Sequence, residues 1–193
     1  MKKLFFLLFV GLTALAHGQR PDVLIGNDYE SISGFGGPFL SFVPIGGKLS
    51  VFTGGGGAIL LDNTFYLGGY GMSMADDRTI TQEGNEYGVD FGHGGLMLGY
   101  NFRPENLIHF SVGSKLGWGT LSYRARADNV RNVNDKIFVV HPSAEVEFNI
   151  THWFKTNVGL GYQQVIGVDD FFYDTAEASG PAVSVSLLFG WFY

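Results

Sequence analysis

The chain has 193 residues, of which 29 are glycine and none is cysteine, and its formal net charge at pH 7 is −6. Glycine weakens helix interiors, so this composition, with 16% aromatic and 46% apolar residues, argues against a helical bundle and against a disordered chain. An acidic chain lacks the basic surface that nucleic acids require, and the absence of cysteine excludes disulfides, thiolate catalysis and cysteine-ligated metals.

The first 18 residues have the three parts of a secretory signal peptide. Lys2 and Lys3 form a positive start, an apolar run from residue 4 to residue 16 follows, and Gly18 supplies a small residue at the cleavage site. The run is too short for a membrane anchor, because a spanning helix needs about 20 residues. We therefore expect residues 1–18 to be removed on export. Residues 19–33 show no clear period, and we expect a periplasmic or lumen-plugging segment there.

Residues 34–193 are dominated by segments in which apolar and polar residues alternate with period two, which is typical of β-strands. Segments rich in Asp, Asn, Glu and Gly separate them. No run beyond residue 18 has enough consecutive apolar residues for a membrane helix, so any membrane crossing must use strands. The pattern predicts eight strands, at 34–43, 48–61, 64–74, 87–102, 107–120, 137–150, 153–166 and a final strand that reaches residue 193.

The final strand has one wholly apolar face, which ends in aromatic residues. Its members are Val183, Val185, Leu187, Phe189, Trp191 and Tyr193. The opposite face carries small residues, several of them polar. In a soluble β-sandwich, which is the alternative architecture, the apolar face would cover a core. In a membrane barrel it faces lipid, and the aromatic residues form the interfacial girdle.

The connections between the strands alternate in length. Short turns are expected at 62–63, 103–106 and 151–152, and longer loops at 75–86, 121–136 and 167–180. Short periplasmic turns and long external loops are the usual asymmetry of outer-membrane barrels. The turn at 44–47 is short although it falls on the outer side. This arrangement places both chain ends in the periplasm.

The segment 34–74 combines a tight hairpin, a glycine-rich second strand and an Asp62-Asn63 turn. It resembles an uncharacterised family of small outer-membrane barrels of the Bacteroidetes type, similar in architecture to the eight-stranded OmpX and OmpA barrels. The ending Phe189-Gly190-Trp191-Phe192-Tyr193 resembles the signal read by the barrel-assembly machinery, with Phe189, Trp191 and Tyr193 as its aromatic residues. The resemblance implies an all-β, eight-stranded antiparallel transmembrane barrel over residues 34–193, in the outer membrane of a Gram-negative bacterium. It implies no activity.

Charged residues lie on the inward face of the middle strands: Lys115, Glu145, Glu147 and Lys155, together with His141. An eight-stranded barrel is only wide enough for its own side chains, so buried charges there must be paired. We interpret the set as a structural ion-pair network. If residues 115 and 143 face each other, Lys115 and Glu145 become diagonal neighbours. The alternative is a narrow channel for small solutes.

Three further features resemble functional motifs, but none has the pattern that the chemistry requires. His141 and Ser143 stand two residues apart, as in lipid A-modifying deacylases, but they share their face with Glu145 and Glu147, which points the pair away from lipid. Gly54–Gly57 lacks the Lys-Ser/Thr and the helix of a phosphate loop. The acidic loops lack the ligand spacing of calcium sites. We expect no cofactor and no metal.

The external loops differ in charge. The loop 121–136 carries Arg124, Arg126 and Arg131, which are candidates to hold the phosphates of lipopolysaccharide. The loop 167–180 is acidic and contains Phe171-Phe172-Tyr173, which we expect to cap the barrel, lie on the membrane rim or contact a partner.

The sequence therefore predicts a non-enzymatic integral outer-membrane barrel with a structural or surface-binding role. We expect a monomer whose partners are outer-membrane lipids, lipopolysaccharide and, during biogenesis, the assembly machinery. Channel activity and lipid A modification by His141 and Ser143 are the alternatives.

Overall fold

The computed structural model of the protein describes residues 31–82, 84–126, 133–169 and 172–192. The signal peptide, most of the segment 19–33, Arg131, Phe171 and Tyr193 lie outside the described residues, and the predictions made for them stay predictions.

Nine strand segments and one short helix make up the described part of the chain. They are β1 (Ile32–Ile45), β2 (Lys48–Leu61), β3 (Phe65–Met74), β4 (Arg78–Gln82), β5 (Asn85–Phe102), β6 (Ile108–Ala125), β7 (Val133–Asn149), β8 (Phe154–Ile166), α1 (Thr175–Ala178) and β9 (Gly180–Trp191). No helix among these residues is long and apolar enough to cross a membrane.

The segments form one closed antiparallel sheet, because neighbouring strands pair all the way around, from β1 through β2, β3 and β5 to β9, and β9 pairs back with β1. β3 and β4 pair in succession with β5, so they are two parts of one barrel strand that is interrupted at residues 75–77. The fold is therefore the expected eight-stranded antiparallel barrel, and this prediction is confirmed.

The barrel is narrow because of its strand number and its stagger. Following the cross-strand registers once around from Ile32 leads back to Phe42, ten residues further along β1. Eight strands with this stagger tilt by about 40° to the barrel axis and leave an interior just wide enough for side chains.

The predicted loops 75–86 and 121–136 are largely strand, which corrects the sequence analysis. β4 and the start of β5 occupy most of the first segment, while β6 runs on to Ala125 and β7 begins at Val133. Pairing continues there because inward side chains still have a core to cover, for example Tyr87, Leu121 and Tyr123. We call this part, namely β4 with residues 85–91, 119–125 and 133–137, the protruding sheet.

The outward-facing residues reverse in polarity along each long strand. On β6 the outward positions from Ile108 to Trp118 are apolar except Ser114, and Trp118 is 64% exposed. Beyond Trp118 the outward positions are Thr120, Ser122 and Arg124. Aromatic residues bound the apolar belt at both ends. The end that we call lower has Phe102, Phe110, Trp153, Phe189 and Trp191. The opposite end, which we call upper or outer, has Trp118 and Phe138, with ring centroids 5.2 Å apart.

The polarity of the inward-facing side chains changes in the opposite direction along the barrel. Its outer half holds an apolar core that includes Val43, Ile45, Phe52, Phe91 and Val139. Its lower half, which the apolar belt surrounds, holds most of the buried polar and charged side chains. The outer half therefore resembles the core of a soluble β-barrel, and the lower half resembles the polar interior of a membrane barrel.

Residues 172–179, which we call the cap segment, lie over the outer end of the core. The ring of Phe172 stacks on Tyr123 at a centroid distance of 4.1 Å, and Tyr173 packs on Gly46. Gly46 has a φ of 56° in the tight β1–β2 turn, and its amide donates to the Glu177 carbonyl at 2.8 Å. Of the three expectations for this loop, the structure places its described aromatic residues in the cap position.

A glycine exchange tests the close strand packing. A Cβ at Gly119 would overlap the carbonyl oxygen of Gly92 on β5, whereas a Cβ at Gly71 would meet no atom within 4 Å. Gly119→Ala should lower the free energy of unfolding by about 1–3 kcal/mol, as overpacking does. Gly71→Ala should leave it nearly unchanged. Urea unfolding of both variants in detergent micelles checks this, and equal losses would contradict the packing described.

Candidate functional site

The lower lumen contains a buried cluster of charges that three strands assemble. Glu147 of β7 accepts from His109 Nε2 of β6 and from Lys155 Nζ of β8, both at 2.9 Å, and all three side chains are at most 5% exposed. Glu145 accepts from Ser143 Oγ at 3.0 Å and from Asn157 Nδ2 at 2.6 Å. Successive inward positions on neighbouring strands bring these groups together.

Lys115 does not join this cluster directly. The register places His141, not residue 143, opposite Lys115, and Glu145 lies opposite Ser111. The diagonal Lys115–Glu145 arrangement is therefore wrong by one inward position along β7. The Lys115 ammonium lies over the Phe39 ring instead, 5.6 Å from its centroid. The described part of the lumen shows no carboxylate in an ion pair with Lys115.

His141 and Ser143 do not form a nucleophile–base pair. Both face the lumen, Ser143 donates its hydroxyl hydrogen bond to Glu145, and His141 Nε2 has no hydrogen-bond partner among the described groups. A Ser-His-acid relay requires the histidine to accept from the serine. The arrangement also keeps both groups away from acyl chains outside the barrel.

The lumen leaves little free space. A cavity of about 30 Å³, which we call the lumen chamber, lies between the charged cluster and Lys115. This volume accommodates one or two water molecules. Apolar side chains of the outer core lie above the level of Lys115. At the lower end Phe192 turns inward, with Lys155 Nζ 4.3 Å from its ring centroid.

The described loop arginines lie on the protruding sheet and already have partners. Arg124 pairs with Asp90 at 2.9 Å, with both side chains more than half exposed, and Arg126 donates to Thr79 Oγ1 at 2.9 Å. They remain candidates for lipopolysaccharide contact. Phe189 and Trp191, which the sequence predicts as part of an assembly signal, point outward, 44% and 66% exposed.

Sequence reasoning missed Arg78, which is 7% exposed. Its guanidinium donates to the carbonyl oxygens of Ile45, Lys48 and Leu49 and pairs with Asp76 at 3.2 Å. It thereby joins the β3–β4 interruption to the β1–β2 turn. The only sequence feature that could have indicated this buried arginine is the Asp-Asp-Arg run at 76–78, and such a run is equally typical of a solvated loop.

The protruding sheet has one free edge in the described chain. β4 pairs with β5 on one side and with no strand on the other. Arg78 and Asp76 satisfy the nearby backbone of β2, but residues 79–82 extend beyond that hairpin. Thr79 and Thr81 point outward, while Ile80 packs against the core.

The opposite edge of the protruding sheet is covered. Asp135 on β7 accepts from the Asp169 amide at 3.2 Å. Burial raises the pKa of the Asp135 carboxyl, and the hydrogen bond from Asp169 acts in the opposite direction. No group of three His, Cys, Asp or Glu side chains suited to a metal occurs among the described residues.

A scan against models of known protein families finds no match, and no curated protein matches the sequence significantly. Solved structures do match. The Neisserial surface protein A has a TM-score of 0.58 at 8% identity, covering 84% of this chain and 97% of that one. The N-terminal β-barrel domain of Pseudomonas aeruginosa OprF scores 0.56 at 11% identity, covering 85% and 100%. The Yersinia pestis attachment invasion locus protein Ail scores 0.51 at 15% identity, covering 83% and 96%.

These likenesses show the fold, which is that of small barrels of the outer-membrane type.

The buried ion pairs generate a stability prediction. Glu147→Gln should leave the buried Lys155 ammonium without a counter-charge and lower the free energy of unfolding by about 3 kcal/mol or more. Glu105→Gln, at an exposed turn, should change it by less than about 0.5 kcal/mol. Urea unfolding of the refolded barrel measures both. Similar values for the two variants would show that the cluster does not stabilise the barrel.

Proposed function

We propose that the protein is a non-conducting integral outer-membrane barrel that binds a partner at the cell surface through its protruding sheet. One observation supports both parts, which is the reversal of polarity along the strands. On β6 the apolar side chains point outward up to Trp118 and inward from Leu121 to Tyr123. Apolar residues outside suit lipid, and apolar residues inside suit a sheet that stands in water.

The filled lumen supports the non-conducting part of the proposal. Conduction requires a continuous water path, and the apolar outer core and the cap segment occupy the upper lumen. Neither the channel nor the lipid A enzyme gains a specific supporting observation. We propose export through a cleaved signal peptide to the outer membrane of a Gram-negative bacterium, with lipids and lipopolysaccharide as surroundings and a monomer as the working form.

The free edge of β4 supports the binding role. Exposed edges invite pairing with other strands, and proteins usually protect them with charged residues, proline or bulges. Residues 79–82 have the sequence Thr-Ile-Thr-Gln, without a charge or a proline. An extended peptide segment of a surface partner can add to such an edge through main-chain hydrogen bonds.

The membrane part predicts behaviour in gels and bilayers. A closed barrel resists SDS until heated, so the unboiled and boiled protein should migrate at two positions and stay with the outer membrane after a carbonate wash. Refolded protein in planar bilayers should give no discrete conductance steps, because the outer core blocks the lumen. A single gel position would contradict the membrane barrel, and reproducible steps would contradict the closed lumen.

The edge predicts a site for peptide binding. Peptides selected from a display library of 12-residue sequences on the barrel in nanodiscs should lose at least about tenfold in affinity for Thr81→Lys, which adds charge to the edge. Ser122→Lys adds the same charge to the same face two strands away and should bind normally. Peptides that bind both variants equally, or no selection above empty nanodiscs, would contradict binding at β4.

A further inference from the structure

Lys115 is a lumen cation that lacks a charged partner in the described structure. Its ammonium has the Phe39 ring as its contact, at 5.6 Å from the centroid. The Glu147 carboxylate is already bound by His109 and Lys155, and Glu145 is bound by Ser143 and Asn157, which are neutral. An isolated charge in a barrel interior is costly, so Lys115 and Glu145 each require further compensation.

Both charges border the lumen chamber of about 30 Å³. Two amide oxygens in its lining, Asn101 Oδ1 and Asn157 Oδ1, have no hydrogen-bond partner, although these residues are only 3% and 5% exposed. The hydroxyl-bearing residues Ser111 and Ser143, which face the lumen, complete the polar part of the wall. A buried water needs a polar site with two to four partners and at least about 10–15 Å³, and the chamber meets both conditions.

We propose that the lumen chamber binds one or two water molecules that complete an ion pair between Lys115 and Glu145, with Asn101 and Asn157 as further partners. The mixed charge of the wall selects this ligand. A metal cation would lie beside the Lys115 ammonium, and an anion would lie beside the Glu145 and Glu147 carboxylates. Water donates to the carboxylate and amide oxygens and accepts from the ammonium, so it suits every group.

Apolar or aromatic side chains lie above and below the chamber. The apolar outer core lies above the chamber, and Phe192 lies below it, in the lining of both the chamber and a periplasmic mouth of about 510 Å³. The lumen network then has two parts. One is the direct Glu147 cluster near the periplasmic end, and the other is the water-mediated pair one layer higher.

A double-mutant cycle tests the energetic coupling. In the refolded full barrel, Lys115→Met and Glu145→Gln should each raise the equilibrium constant for unfolding. The factor measured for the double variant should be smaller than the product of the two single-variant factors, by about fivefold or more. The exposed direct ion pair of Arg124 with Asp90 is the control. For Arg124→Gln and Asp90→Asn, the factor measured for the double variant should equal the product of the single-variant factors within about twofold. Multiplicative effects of Lys115 and Glu145 would overturn the proposal.

A crystal structure of the wild-type barrel at high resolution tests the ligand itself and does not depend on the folding of any variant. It should show one or two water peaks within hydrogen-bond distance of Lys115 Nζ and of a Glu145 oxygen. A direct contact between the two side chains, or an ion in the chamber, would overturn the proposal. The surface-binding function does not enter this test, so the two proposals fail independently.

Discussion

The pairing of β1 with β9 closes the sheet, and the rest of the structure depends on that closure. In lipid each backbone amide and carbonyl must be satisfied within the protein, and a closed barrel achieves this without an edge. Closure of eight strands also leaves an interior no wider than its own side chains. Inward side chains therefore also contact side chains from across the barrel, as Lys115 of β6 over the Phe39 ring of β1 illustrates.

The narrow interior explains why the charges are distributed in layers. Glu147 takes two donors because His109 and Lys155 converge on it from the adjacent strands β6 and β8. Lys115 lies one layer higher, where Phe39 and the lumen chamber surround it. Above this level most inward residues are apolar, because strands β4 to β7 extend past the aromatic end of the belt and need a core rather than a lumen. The same strands are thus suited to lipid along their lower part and to water along their upper part.

Above the belt the sheet is no longer closed, so it has free strand edges. Asp135 and Asp169 cover the β7 side, and Arg78 covers only the first residues of the β4 side. This contrast connects the fold to the proposed function, because the same backbone groups that are satisfied within the belt are available to a partner at residues 79–82.

The sequence alone determined the fold class and the inward and outward faces of most strands, since period-two alternation is a local property that each residue carries with it. It placed Lys115, Glu145, Glu147 and Lys155 in the lumen correctly. It did not determine that β6 continues past residue 120, because the outward face there becomes polar and imitates a loop. Only the tertiary structure decided the register that separates Lys115 from Glu145, the burial of Arg78 and the position of Phe172 over the core. Those features depend on the stagger of all eight strands and on contacts between distant segments, which local alternation does not encode.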